Sequence, residues 1–312
     1  MITAVRDISR MTTSARRDID LAAVEGCWAG RFRAMGGPCE VLVETGEPAE
    51  ARSVTARIAD CAWRIEEKYS RYRRGNIVDA INSACGRTIS VDEETAKLLE
   101  FAAALHELSD GRFDVTSGVL RRAWTFDGGS RVPAQAEIDA LLPLVGWDKV
   151  EWRRPELRLP PGMEIDFGGF GKEYAVDQAV QIARNICSRG SLVNFGGDLA
   201  ISRPRTDGRP WRVGIEDPGS ESRGASQLLE LRRGALATSG DTYRYVLANG
   251  ARYSHVLDPR SGWPVTDAPR SVTVAAGTCT QAGMLTTLAL LEGSNAERFL
   301  AAERVPHWVR RH

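Results

Sequence analysis

The chain has 312 residues, with 41 Lys+Arg balanced by 41 Asp+Glu, 43% hydrophobic residues and 26% charged ones. These are globular averages, so disorder, collagen and coiled coil are excluded, and the length suits one large domain or about two smaller ones. A net charge of zero lacks the excess of Lys and Arg needed to grip a phosphate backbone, so nucleic acid is not an expected partner.

The N-terminal stretch mixes Asp7, Arg10, Arg16, Arg17, Asp18 and Asp20 without a sustained period. Residues 1–28 are expected to be a poorly ordered leader before a single composite domain over 29–312. No apolar run of signal-peptide length is present, and acidic residues follow Arg16-Arg17 where a twin-arginine signal needs apolar ones. A cytoplasmic location and no membrane insertion are the expectation. Between Pro48 and Tyr69, Val54, Ile58, Cys61/Ala62 and Ile65 fall at steps of three and four, which predicts a helix. A second runs from about Glu93 to Leu108, with Leu98, Phe101, Leu105 and Leu108 on one stripe, and stops at Asp110-Gly111.

A short helix over about 135–142 precedes two strands carrying Val150, Trp152, Leu157 and Leu159, joined by a turn at Arg154-Pro155. The segment EIDFGGFGKEYAVDQAVQIARNICSRGSLVNFGGDLAIS then reads as strand, glycine turn, helix, strand, glycine turn. Such a series suits a nucleotide or pyrophosphate, because glycines let backbone N–H groups approach an anion. From Pro210 to Val274 short alternating segments predict a mainly antiparallel sheet, and helices near 280–291 and 295–303 end the chain. Strand clusters mixed with helices favour an α+β arrangement. The six cysteines form no C-x-x-C pair, and most read as buried small hydrophobes.

GGFGK is not a P-loop, since Asp166 stands at the first glycine position and Glu173 where a Mg²⁺-binding hydroxyl is needed; no Rossmann fingerprint follows a strand either. Asp166 could accept bonds from a ribose or flavin edge and Lys172 could neutralise phosphate, or they could be a capping Asp and a solvated Lys. Asp198 admits the same two readings. His255 lies on a strand entering a turn, where a histidine more often packs than acts as a base. Thr238-Ser239-Gly240-Asp241 suits phosphate or Mg²⁺ contact and equally an ordinary turn, and Tyr72, Phe113 and Trp124 could stack on a planar ring or pack in the core.

Taken in order, AMGGPC (34–39), SRYRRGNIVDAIN (70–82), GRFDVTSGVLRRAW (111–124), EIDFGGFGKEYAVD (164–177), VNFGGD (193–198), WRVGIEDP (211–218), ATSGD (237–241) and YSHVLDPRSGWPV (253–265) strongly resemble the ApbE family, the FAD:protein FMN transferases, over about residues 30–305. The resemblance implies an ApbE-like α+β fold, with mainly antiparallel sheets, flanking helices and a central FAD cleft between two lobes. It also implies an enzyme that binds FAD and Mg²⁺, cleaves the FAD pyrophosphate, joins FMN to a Ser or Thr hydroxyl of a redox partner protein and releases AMP. Met35, Tyr72, Arg112, Phe113, Asp114, Asp166, Lys172, His255 and Val256 correspond to flavin-nucleotide contacts, and His255 is the candidate for deprotonating the acceptor hydroxyl.

For the metal, the resemblance implies a backbone carbonyl, here from Gly169, together with an Asp and a Thr one helical turn apart. Thr287 is retained, but Gly283 stands where the family carries the carboxylate, so a weakened Mg²⁺ site is expected. Compensation is sought from Gln281, Thr286 or Asp241, or from FAD phosphates carrying the ion alone. This departure motivates two alternatives: a non-catalytic FAD-binding carrier or sensor, and an FAD pyrophosphatase giving FMN and AMP. A smaller departure, Asn76-Ile77 in place of the usual Ser-Glu, points to a different neighbour near the helix exit.

Overall fold

In the computed structural model, which describes residues 17–216, 225–242 and 244–311, the chain opens with β1 (Asp20–Val24), β2 (Cys27–Ala34), β3 (Gly37–Val43), α1 (Pro48–Tyr69), α2 (Ile77–Asn82) and β4 (Thr88–Ser90). It continues through α3 (Glu93–Leu108), α4 (Gln135–Leu141), β5 (Glu151–Arg153), β6 (Glu156–Arg158), α5 (Gly171–Ile186), β7 (Ser191–Phe195) and β8 (Asp198–Ile201). The last part holds β9 (Trp211–Glu216), β10 (Ala225–Leu231), β11 (Ala235–Gly240), β12 (Tyr245–Ala248), β13 (Ala251–Ser254), β14 (Ser271–Ala276), α6 (Cys279–Leu291), α7 (Ala296–Ala302) and β15 (His307–Arg310).

Among the described residues the main sheet has eight strands in the order β1-β2-β3-β7-β8-β11-β14-β15, and every pairing in it is antiparallel. Side chains alternate between faces along each strand, so each face needs its own cover. One face carries Val41, Val43, Val193, Ala237, Val272 and Val274 into the main core beneath α1, α5 and α6. The other turns Ala29, Leu42, Leu192, Leu199 and Leu236 toward Trp211, Ile215 and Leu229 of the β9–β10 ribbon. A satellite core around Trp124, Ile138 and Val246 gathers α4 and the β12–β13 hairpin, and carries the chain into His255.

The helices follow from local chemistry. Pro48 opens α1, and Val54, Ile58, Cys61, Ala62 and Ile65 are buried as their spacing predicts. The helix packs so closely that a Cβ on Gly30 of β2 would lie 2.2 Å from Thr55 Oγ1. Asp92 caps α3 by accepting from Glu94 N and Thr95 N, and the helix gives way to left-handed Asp110 (φ 52°) and Gly111 (φ 72°).

Three expectations need correction. The leader does not extend to residue 28: Asp20–Val24 and Cys27–Ala34 pair as the edge hairpin of the main sheet, while residues 1–16 lie outside the described part. Leu108 is 78% exposed and leaves its stripe to Leu98, Leu99 and Leu105, because it sits in the last turn where α3 projects past the core. The C-terminal β15 has no alternation, all four residues being half-buried, and was not anticipated. Five cysteines are buried and Cys85 is exposed, all free. No helix among the described residues is long and apolar enough to cross a membrane.

Candidate active site

The loop before α5 is clamped from three directions. Asn82, at the end of α2, brackets Ile165 by accepting from its N–H (2.8 Å) and donating to its C=O (3.0 Å). Asp166 N donates to Val115 O at 2.9 Å, and Gly118 lies so near that a Cβ there would be 2.7 Å from Asp166 Cβ. The Asp166 carboxylate then accepts from Gly168 N at 2.9 Å and pairs with Arg71 at 2.6 Å. It therefore makes the turn and also presents a charged edge. Arg71 was not singled out in the sequence, where it is hidden in a run of arginines; its guanidinium also bonds the Tyr72 hydroxyl (2.8 Å) and lies 4.9 Å from that ring.

Helix α5 starts at Gly171 with no side-chain cap; Gly171 N donates back to Phe167 O at 2.7 Å, and the next N–H groups of the first turn have no acceptor within the helix. Lys172 is not a solvated lysine. Its Nζ lies 2.7 Å from Asp198, which is 1% exposed at the start of β8 and also accepts from Thr238 N at 3.0 Å. Asp198 follows the Gly196-Gly197 turn, both residues having positive φ (61° and 102°), and a Cβ on Gly196 would be 3.8 Å from Lys172 Nζ. Two glycine turns and one lysine thus converge.

Beside them lies Glu173, which the sequence marks only as a departure from the P-loop pattern. Glu173 is 7% exposed, and its Oε2 is buried without a hydrogen-bond partner. Burial, and then the neighbouring Asp198 charge, push its carboxyl well above the usual carboxylate range. A Cβ on Gly283 would fall 2.5 Å from Glu173 Cγ and 2.8 Å from Oε1, so Glu173 fills the space in front of Gly283.

Of the residues expected to compensate for Gly283, Asp241 and Thr286 are engaged by other partners and Gln281 faces solvent. Asp241 is held by Arg252 (2.8 Å) and Arg270 (2.7 Å). The Thr286 hydroxyl donates to Gly283 O (2.8 Å) and bonds Ser239 (2.7 Å), and Gln281 is exposed on the first turn of α6. Thr287, one turn beyond Gly283, is half-buried, and its hydroxyl has no hydrogen-bond partner among the described residues. Gly169 lies against Phe113, where a Cβ would be 2.9 Å from the ring. Among the described residues no three His, Cys, Asp or Glu side chains gather as a metal cluster. An orphaned carboxylate oxygen and a disengaged hydroxyl are still hard oxygen donors that fit Mg²⁺, which is commonly bound by one or two carboxylates with water and phosphate.

The other expected residues divide. His255 is half-buried with Nδ1 lacking a partner, and burial followed by the Arg244 charge pushes it down to about 4. It is neutral at pH 7 and makes a backbone hydrogen bond to Arg244. Val256 packs at the margin of the main core, and Met35 (φ 56°) makes the β2–β3 turn, half-buried. Tyr72 is 74% exposed, available for stacking rather than packed in the core. Phe113 is buried against Phe170 and the glycine loop. Arg112 instead pairs with Glu292 at the end of α6. The Asp114 carboxylate is consumed by Thr116 N (2.7 Å), Thr116 Oγ1 (2.6 Å) and Trp147 N (2.8 Å), so its side chain builds the turn. A cavity of about 1020 Å³ lies on that side, between His106, Asp114, Trp147 and Arg260; of the expected residues only Asp114 reaches it.

Residues 35–308 match the ApbE family. The chain belongs to that family. Similar ApbE relatives include the FAD:protein FMN transferase of Klebsiella pneumoniae (strain 342), 30% identical over 275 residues, covering 86% of this chain and 83% of the relative. The Vibrio cholerae protein of the same name is 27% identical over 264 residues, covering 83% and 79%. The ApbE protein of Thermotoga maritima superposes with a TM-score of 0.82 at 32% identity, covering 91% of this chain and 94% of that one. The apo flavinyl transferase ApbE of Pseudomonas stutzeri gives 0.78 at 26% identity, covering 93% and 91%. The ApbE-like α+β fold expected from the sequence is therefore the fold observed.

Proposed function

We propose that this protein is an FAD:protein FMN transferase that cleaves FAD, joins FMN by a phosphoester to a Thr or Ser of a redox partner protein and releases AMP. The observation that carries this reading is Lys172, held between two glycine turns at an uncapped helix start, in a chain whose relatives bear that name over most of its length. Phosphoryl transfer needs little covalent help from a protein; it needs anion-cradling N–H groups, a cation and a poised base. Here the Lys172 and Glu173 N–H groups in the first turn of α5 and the Lys172 ammonium would receive the pyrophosphate, and Asp166, fixed by Arg71, would orient the nucleotide. Neutral His255 takes the proton of the acceptor hydroxyl. The hydroxyl oxygen bonds to the FMN phosphorus, and the P–O bond to AMP breaks with its electron pair leaving on AMP. A bound Mg²⁺ supplies further neutralisation of pyrophosphate charge.

Incubation with FAD, Mg²⁺ and acceptor is expected to give a fluorescent protein band that survives denaturation, with AMP released. Intact FAD recovered from a tight complex under all acceptors would support the carrier alternative instead, and AMP without any adduct the pyrophosphatase. The carrier alternative draws on the missing carboxylate at Gly283, and that motive weakens because Glu173 brings a carboxylate to the same space.

A further inference from the structure

Asp177 on α5 accepts from Cys279 N (2.8 Å) and Thr280 N (2.9 Å) at the start of α6. One turn back along α5 lies Glu173 and one turn on along α6 lies Gly283, so the two helices bring these positions together. They share room for one side chain: the Cβ that Gly283 lacks would sit 2.5–2.9 Å from Glu173 Cγ, Cδ and Oε1. A further turn along α6 presents the disengaged Thr287 hydroxyl on the same face. Glu173 itself is incompletely partnered. It is 7% exposed, its Oε2 has no partner, and the adjacent Lys172 is committed to Asp198 at 2.7 Å. A buried carboxylate oxygen left without a bond destabilises the fold, and a cation reverses that cost.

We propose that Glu173 is the carboxylate ligand of a divalent cation held with the Thr287 hydroxyl, and that position 283 is glycine because the Glu173 side chain occupies its space. The expected weakening at Gly283 is thereby replaced by a relocated ligand. The inference rests on the transferase reading for the pyrophosphate that would share the cation.

Mn²⁺ titrated into the FAD-loaded protein, with free Mn²⁺ read by electron paramagnetic resonance, tests it; FAD affinity is measured separately by flavin fluorescence in EDTA. Glu173→Gln keeps the shape and removes the charge, and is expected to weaken Mn²⁺ binding by about tenfold or more while FAD affinity in EDTA stays within about twofold. Thr287→Val is expected to weaken it in the same direction. Glu173→Ala alone should also lose Mn²⁺ binding, and adding Gly283→Asp to it should restore affinity to within about threefold, since the carboxylate returns from the other helix. Unchanged Mn²⁺ affinity in Glu173→Gln overturns the inference, as does native FAD-loaded protein that takes up no Mn²⁺. A protein that binds Mn²⁺ through Glu173 yet yields neither adduct nor AMP keeps this inference and loses the transferase reading.

Discussion

Asp241 and Glu173 are both buried carboxylates, and their surroundings are opposite. Asp241, just past β11, is gripped by Arg252 and Arg270 at 2.8 and 2.7 Å, with its own N–H bonded to Arg270 O at 3.1 Å. Glu173, in the first turn of α5, has an orphaned oxygen and a neighbouring lysine already taken by Asp198. A carboxylate that serves the fold is fully paired; one left incomplete is kept for something that arrives later. The same contrast separates the Thr286 hydroxyl, bonded to Ser239 and to Gly283 O, from the Thr287 hydroxyl, which has no partner among the described residues.

Substitutions should expose this difference. Gly283→Asp alone has the largest expected effect, about 4 kcal/mol of lost stability, because its Cβ would overlap Glu173 Cγ at 2.5 Å and bury a second acid there. Chemical denaturation reads it, and a native-like midpoint would show that the two positions do not share space. Asp241→Ala should cost about 3 kcal/mol by leaving two arginines facing each other without their anion. A change near zero would put Asp241 among the incomplete groups.

His255 gives a pH signature. Its folded value of about 4 lies below the unfolded value near 6.5, so the unfolded chain binds more protons between them. Stability is therefore complete above about pH 6.5 and falls as pH drops toward 4, by about 2 kcal/mol after allowing for partial exposure. His255→Asn should flatten that part of the stability profile, and an unaltered slope would contradict a depressed histidine. Glu173→Gln has the smallest expected effect, within about 1 kcal/mol of native or slightly stabilising in metal-free protein, since it replaces an incompletely partnered carboxyl, already pushed toward its neutral form by burial, with a neutral group of the same shape. A loss as large as that of Asp241→Ala would erase the distinction between the two acids.

Much of this was legible in the sequence. The apolar spacing of α1 and the glycine turns around Lys172 fixed those elements, because their signals are local. The ordered motifs pointed to the family and fold. Tertiary pairing was not legible: Arg71 meets Asp166, and Glu173 meets Gly283, across gaps of sequence that no period spans. Nor did the sequence show that the side chains of Asp114 and Arg112, which the resemblance implies as flavin-nucleotide contacts, are bonded to Thr116, Trp147 and Glu292. Asn76, an expected sign of a new neighbour, accepts from Asp79 N and caps α2.

The most direct test of the central claim is to incubate the protein with FAD and Mg²⁺ and the apo acceptor protein of the Vibrio cholerae relative, then to measure AMP by chromatography and acceptor mass by mass spectrometry. The account predicts AMP in equal amount to an acceptor carrying one covalent FMN on a Thr or Ser. AMP formed with the acceptor unmodified, or bound FAD recovered intact with this and every other acceptor offered, would contradict it.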